Sequence, residues 1–159
     1  MSPEPAWAYV DTPTGVAGDM LLAALLDMGV PLEVVSAPLA AIGLGEAFSL
    51  RPQEGHSAGL RGLRLTVELH ESEPPPRHWR VLAPLLQQAP WPDPLRAKVL
   101  QVFTLLAEAE GRVHGVSAEQ VHFHEVGAVD ALVDVVGVCS ALLHLGIEQL
   151  IATPPPAGH

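Results

Sequence analysis

A strand, a glycine-containing turn and a helix follow one another in the segment AWAYVDTPTGVAGDMLLAALLDMG at residues 6–29. Ala6 to Asp11 is typical of a short strand that ends in an acid. Proline and glycine residues mark the turn. Asp19 is predicted to cap the N-terminus of the apolar helix that Gly29 closes. This order of elements favours helices packed on a sheet over an all-helical or all-β protein.

The rest of the chain continues the mixture of helices and strands. Apolar residues at a spacing of three and four predict helices, and alternation at 60–69 predicts a half-buried strand. The predicted helices are 31–42, 78–89, 94–114 and 128–145, and the further strands are 48–51, 60–69 and 148–152. We therefore predict an α/β (α+β) fold with a small mixed β-sheet and helices packed against it.

Two proline-rich segments, at 71–77 and near the end of the chain, guide the prediction of domains. A polar, proline-rich connector at 71–77 can form neither a helix nor a central strand. We expect residues 1–152 to form a single α/β domain that includes this connector. Residues 153–159 are expected to begin a linker to an absent carboxy-terminal domain.

Composition narrows the class of protein. The 159 residues are 48% hydrophobic but only 4% aromatic, and 8 Lys and Arg face 18 Asp and Glu, which gives a formal net charge of −10. A chain this acidic is a poor non-specific binder of nucleic acid, and cationic partners suit it better. The single cysteine, Cys139, excludes an intrachain disulfide. With no signal peptide and no membrane span in the sequence, we expect a cytoplasmic protein.

Histidines and carboxylates concentrate in the segment VHFHEVGAVD at 121–130, which Asp134 follows. Two histidines two apart share a face of an extended segment, and Asp130 and Asp134 share a face of a helix. Imidazole and carboxylate are ligands that zinc, nickel, iron and manganese accept. The metal-ligand candidates are His122, His124, Asp130 and Asp134. The alternative is structural: Asp130 is favoured by the helix dipole, and the histidines form ordinary hydrogen bonds.

The turn between the first strand and helix is the second candidate site. Backbone N–H groups at such a turn can hold a phosphate or carboxylate, although the P-loop lysine is missing. The binding candidates are Asp11, Gly15, Gly18 and Asp19. The alternative is that the glycines serve a tight turn and Asp19 only caps the helix. The histidines at 56, 70 and 78 are expected to be solvent-exposed rather than ligands.

These two segments, in this order and separation, resemble the nickel insertion protein of the nickel-pincer nucleotide pathway, which makes the cofactor of lactate racemase. The first matching segment is Asp11 with residues 15–27, GVAGDMLLAALLD. The second comprises AEAE at 107–110, VHG at 113–115, VHFHEVGAVD at 121–130 and DVVG at 134–137. Because family members are considerably longer, this chain resembles their amino-terminal part.

The resemblance implies a CTP-dependent nickel insertase (a lyase-type cyclometallase) whose substrates are nickel and pyridinium-3,5-bisthiocarboxylic acid mononucleotide. It implies that CTP, with Mg or Mn, binds mainly to the absent carboxy-terminal half, which would be a partner of this chain. A homo-oligomer is compatible with the sequence; nucleic-acid and membrane partners are not expected. We expect the site where the glycine turn approaches the His122–Asp134 cluster, with Glu125 or His124 as the catalytic base. The alternatives are a non-catalytic metal- or nucleotide-binding subunit that needs a second chain, and a metal-dependent phosphohydrolase.

Overall fold

Helices and strands are mixed along the described part of the chain. The computed structural model describes residues 6–70, 78–123 and 129–154. The helices in these residues are α1 (Gly18–Asp27), α2 (Leu32–Ala41), α3 (Trp79–Gln88), α4 (Asp93–His114) and α5 (Val129–His144), with a short 3-10 turn at Ala118–Gln120. The strands are β1 (Ala6–Val10), β2 (Phe48–Ser57), β3 (Leu60–Leu69) and β4 (Ile147–Ala152). The predicted α/β fold class is confirmed.

The strands form one parallel and one antiparallel pair. β1 lies parallel to β4, so the first and last described strands of the chain meet. β2 and β3 form an antiparallel hairpin. Its turn consists of Ala58 and Gly59, which both have positive φ (49° and 81°). A two-residue hairpin turn needs positive φ because only then does its twist match that of the two strands.

The hairpin extends further than the sequence predicts. The strand predicted at 48–51 was expected to end at Arg51, where the apolar pattern stops, but the observed strand β2 continues to Ser57. The continued part is exposed and pairs residue by residue with β3, so backbone hydrogen bonds rather than burial extend it. Pro52 is tolerated there because β2 is an edge strand.

The start of α1 corrects another prediction. Asp19 does not cap the helix; the N-cap residue is Ala17, and no side chain caps this end. Asp19 lies in the first turn, where its Oδ1 accepts a hydrogen bond from the Met20 N–H at 2.8 Å. A carboxylate in this position is favoured by the helix dipole, so the acid is still explained by the helix end.

Helix α5 is the centre of the packing. Both α1 and α2 pack on it, and α4 packs on another part of its surface. Gly137 makes the close approach feasible, because a Cβ at this position would lie 2.9 Å from Val35 Cγ1 and 3.0 Å from Leu22 Cδ2. Both of these neighbours are fully buried. The small residue in α5 therefore sets the distance at which α1 and α2 lie.

Three aromatic rings lie together within the same hydrophobic core. Trp79, Phe103 and Phe123 are mutually in contact, with ring centroids 6.2 to 6.5 Å apart. They join the start of α3, the middle of α4 and the segment after the 3-10 turn. This aromatic cluster fixes the two segments that carry the histidine pair described below.

Two further features are the position of the single cysteine and the length and polarity of the helices. Cys139 is buried in α5, as expected of a small core residue, and burial raises the pKa of its thiol to about 11. Within the described ranges, none of the helices has the length and apolar character needed to cross a lipid bilayer.

Candidate functional site

The carboxyl ends of β1 and β4 meet at one edge of the parallel pair, and the glycine turn begins there. Ligands of α/β proteins commonly bind at this edge. The Thr12 N–H donates to Thr153 Oγ1 at 2.8 Å, and the two threonine hydroxyls are 3.0 Å apart. The Gly15 N–H closes the turn on the Thr12 carbonyl at 3.0 Å, with Gly15 at φ 91°. β4 therefore holds the start of the turn in place.

The far end of the turn lies against α5. Gly18, the first residue of α1, is in such close contact with Asp134 that an added Cβ would lie only 2.6 Å from Asp134 Cβ, closer than any real side chain permits. Glycine is therefore needed at this position because of the space that the carboxylate occupies. The two sequence segments, separated by more than a hundred residues, meet at this contact.

Three carboxylates gather around the contact. The pKa of Asp134 is raised from 3.8 to about 6, first by burial and then by the negative charges of Asp19 and Asp130. Asp134 Oδ1 is inaccessible to water and has no hydrogen-bond partner within the described ranges. Asp19 and Asp130 are exposed, and each accepts a hydrogen bond from the next residue's N–H. We call Asp19, Asp130 and Asp134 the carboxylate cluster.

His122 lies in a different local arrangement. Its Nδ1 is 3.1 Å from Nε2 of His78, and the two rings meet edge to face with centroids 4.4 Å apart. The two residues face each other across an isolated antiparallel bridge. Both side chains are at the surface.

The structure brings some of the candidate residues together and leaves others apart. Gly18 and Asp19 of the turn lie next to Asp130 and Asp134, whereas Asp11 is exposed at the end of β1. Among the residues that the structure describes, no group of three His, Cys, Asp or Glu side chains is arranged to hold a metal ion. His124 and Glu125 lie outside the described residues, so the complete ligand set and the base remain predictions.

Sequence reasoning missed two residues. Thr153 was assigned to the linker, yet its hydroxyl binds Thr12 and its N–H donates to the Val10 carbonyl at 3.1 Å. His78 was expected to be exposed, which is correct, but its partner is 44 positions away. Neither neighbour could be found from local spacing, since both contacts join segments that are distant in the chain.

The sequence matches known proteins over nearly its whole length. The family model described as "Nickel insertion protein" matches residues 8–159. A protein of a Cyanothece species is 49% identical over 155 residues, which cover 95% of this chain and 38% of that relative. A protein of Geobacter metallireducens is 42% identical over 151 residues, covering 94% of this chain and 38% of that relative. Both relatives are named for a proposed role in nickel insertion.

The chain is much shorter than these proteins. It spans about 38% of the length of the curated relatives that it matches. No solved structure matches the chain.

Proposed function

The chain belongs to the nickel insertion protein family, and we propose that it forms the amino-terminal part of an enzyme that inserts nickel into an organic cofactor precursor. The proposed acceptor is pyridinium-3,5-bisthiocarboxylic acid mononucleotide, the acceptor implied by the resemblance of the glycine turn and the His/Asp segment. The product would be the nickel-pincer cofactor of lactate racemase.

The proposed reaction requires a metal carrier and a base. The ring C–H bond breaks, a carbon–nickel bond forms, and the two thiocarboxylate sulfurs complete the attachment of Ni²⁺. The metal keeps its oxidation state, and the ring proton goes to a base on the protein. We propose Glu125 or His124 for this base, because they are the first two residues after the buried Phe123 in the chain.

The observation that carries the proposal is the contact between Gly18 and Asp134. It gathers three carboxylates at the starts of two helices, in a place where a methyl group in Gly18's position would not fit. Mutual repulsion and burial make the ionised Asp134 unfavourable, and a bound cation would remove both penalties. A cation-binding position beside the substrate-binding turn is what nickel insertion requires.

We assign roles to the remaining candidates accordingly. Asp130 and Asp134 would bind nickel together with His124, through oxygen and nitrogen ligands that exchange readily. His122, which the sequence also predicted as a ligand, contacts His78 and forms no metal-binding group with these two carboxylates among the described residues. Asp11, Gly15, Gly18 and Asp19 would hold the pyridinium or ribose part of the substrate. Acidic side chains suit a cationic ring and sugar hydroxyls better than a bare phosphate.

We propose that the part of the longer relatives that this chain does not cover supplies the CTP-binding site. The carboxylate-rich turn is a poor place for a triphosphate because of its charge. We therefore propose that CTP, with Mg or Mn, binds mainly to a carboxy-terminal part that associates with this chain. The single domain at 1–152 and the linker at 153–159 remain part of this proposal, as does a location in the cytoplasm.

A reconstitution experiment tests the proposal. The chain would be mixed with the complementary carboxy-terminal part of the Cyanothece relative, nickel, CTP, Mg and the mononucleotide acceptor. Mass spectrometry would then detect the nickel-containing product. We expect product only when both parts are present, and loss of product for Asp134→Asn. Glu108→Gln, an exposed substitution of the same kind on α4, is the control and should retain activity.

The alternatives give different results. Product formed by the carboxy-terminal part alone would reduce this chain to a binding subunit. Metal-dependent hydrolysis of a simple phosphate ester by this chain, abolished by Asp130→Asn, would instead support a phosphohydrolase. Either result would contradict the assignment of nickel insertion to the carboxylate cluster.

A further inference from the structure

We propose that one face of the β1–β4 pair is the surface on which the carboxy-terminal part of the protein docks, with an apolar helix of that part packed against it. The face carries Trp7 and Tyr9 of β1 and Ile151 of β4, which are 65%, 58% and 47% exposed. We call these three residues the outer face. That a carboxy-terminal part joins this chain rests on the proposed function.

The strand register places the three residues on one side of the pair. Successive residues of a strand point to opposite faces of a sheet. In β1, Trp7 and Tyr9 are exposed, whereas the alternating residues Ala8 and Val10 are half-buried. Tyr9 pairs with Ile151, so both lie on the same face. The three exposed side chains therefore form one surface.

A register shift explains why β4 begins buried and ends exposed. Ala6 pairs with Ile147. The next residue, Trp7, pairs with Gln149, so β4 has one extra residue at this point. An extra residue reverses the faces to which the following side chains point. Ile147 before the shift is accordingly buried, whereas Ile151 after it is exposed.

An uncovered apolar face is unusual for parallel strands. Such strands normally have helices on both faces, because their crossover connections run there. Among the strands that the structure describes, none pairs with the free edge of β1 or of β4. Grouped apolar residues on a surface mark sites of interaction, whereas single ones are ordinary. The outer face therefore lacks the layer that a parallel sheet has on each side.

The length of the relatives indicates what supplies this layer. The match to the Cyanothece protein covers 95% of this chain but only 38% of that relative, so the larger part of the relative lies outside the match. The family model matches residues 8–159, a range that includes the end of β1 and the whole of β4. Proteins with these strands thus carry further sequence that can cover the outer face.

A second copy of this chain fits the outer face less well. Asp11 follows β1 and Glu148 lies near the start of β4, so exposed carboxylates stand at both ends of the face. Two copies would each bring a net charge of −10 to the contact. We expect the docking helix to have apolar residues at its centre and Lys or Arg opposite these acids.

The outer face ends where the candidate site begins. Tyr9 is two residues before Asp11, which opens the glycine turn. On β4, Ile151 is two residues before Thr153, whose hydroxyl accepts the hydrogen bond of the Thr12 N–H. A helix packed on the face brings its neighbouring loops to this edge of the sheet, where ligands of α/β proteins commonly bind. Docking would therefore place groups of the partner beside the turn.

Fluorine NMR of the chain labelled with 5-fluorotryptophan tests the surface. The three tryptophans of the chain are Trp7, which is exposed, and Trp79 and Trp91, which are buried. The carboxy-terminal part of the Cyanothece relative is added unlabelled, so only this chain gives signals. We expect the Trp7 resonance, assigned by its absence in Trp7→Phe, to shift and to lose its contact with a dissolved paramagnetic quencher. The two buried tryptophans should change less.

Calorimetry measures what the outer face contributes to the affinity. Tyr9→Ala should weaken the association by at least about 30-fold, which corresponds to the about 2 kcal/mol of an interface hot spot. Ile151→Ala, on the other strand, should weaken it in the same direction. Leu105→Ala is the matched control, since it removes a side chain from a residue of α4 that is 58% exposed, and it should leave the affinity unchanged. All three residues are exposed, so the variants should fold.

Several results would overturn the surface. Association with an unchanged Trp7 resonance and an unaltered affinity of Tyr9→Ala would show that docking occurs elsewhere. Equal weakening by Leu105→Ala, or no association of the wild-type chain, would also refute it. A Trp7 resonance that shifts with the concentration of this chain alone would show that a second copy covers the face, which contradicts the proposed occupant.

The surface and the proposed function can fail separately. Association that Tyr9→Ala weakens, between two parts that form no nickel-containing product, supports the surface and refutes the function. Product formation together with unchanged association and activity of Tyr9→Ala supports the function and refutes the surface.

Discussion

Replacing Asp134 with asparagine should stabilise the protein at neutral pH and weaken its function. The pKa of Asp134 is raised from 3.8 to about 6, so the folded state holds this proton over a range where the unfolded state has lost it. Since the folded state binds more protons between about pH 4 and 6, the free energy of unfolding falls as the pH rises through this window. The loss in free energy of unfolding caused by ionised Asp134 is complete above the pKa of the folded state and absent below about pH 4.

The size of the effect follows from the shift. A difference of roughly two pKa units, at about 1.4 kcal/mol each, sets an upper value of about 3 kcal/mol at pH 7. Solvent reaches the side chain in part and screens its charge, so we expect about 1–2 kcal/mol. For a protein of this size, that is an increase in Tm of roughly 2–8 °C. Asparagine has nearly the same shape, so the contact with Gly18 is retained.

Urea unfolding at pH 4, 5, 6 and 7, with a chelator present to remove metal, measures the prediction. The difference between Asp134→Asn and the wild type should be small at pH 4 and grow towards pH 7. Glu108→Gln removes a carboxylate at an exposed position of α4 and is the matched control. A variant that is less stable than the wild type at pH 7, or a difference that does not change with pH, would refute the account of Asp134 as an unpaired, repelled carboxylate.

Three other substitutions test the packing around the site. Gly137→Ala should lower the free energy of unfolding, measured in urea, by about 1–2 kcal/mol. The new Cβ would lie 2.9 Å from Val35 Cγ1, and this overpacking outweighs the gain in helix propensity. A stabilised variant would contradict this. Trp91→Phe should cost about 1–3 kcal/mol, since the indole N–H donates to a main-chain carbonyl of α2 at 2.8 Å; thermal unfolding measures it, and an unchanged Tm would refute the role of this bond. Gly18→Ala should displace the half-buried carboxylate of Asp134 and abolish product formation in the reconstituted reaction, whereas Gly55→Ala, in open space on β2, should not.

Local pattern was sufficient for most of the secondary structure. The predicted helix at 94–114 is α4 (Asp93–His114), and the predicted strand at 60–69 is β3 (Leu60–Leu69). Both segments have a strong apolar period, and glycine ends α4 in the left-handed conformation at Gly115. Where the pattern fails, so does the prediction: β2 continues through polar residues because its partner strand supplies hydrogen bonds.

The sequence also identified the family to which the chain belongs, and it supplied candidate site residues whose roles stay predictions. The motif at 121–130 and the glycine turn could be recognised because the residues of each are adjacent in the sequence. The role of Asp19 as a cap was wrong, since the N-cap is Ala17 and the helix begins two residues earlier than a cap at Asp19 would place it. Which of the candidates act together was not readable from spacing alone.

Only the tertiary structure decided the pairings. Gly18 lies against Asp134, Thr12 against Thr153, and His78 against His122, and each contact joins segments that are far apart in the chain. A local pattern reports how one element buries its apolar face, because that depends on neighbours a few residues away. Which polar groups meet depends on how whole elements pack, and here the approach of α1 to α5 and the aromatic anchoring of the histidine bridge determine it.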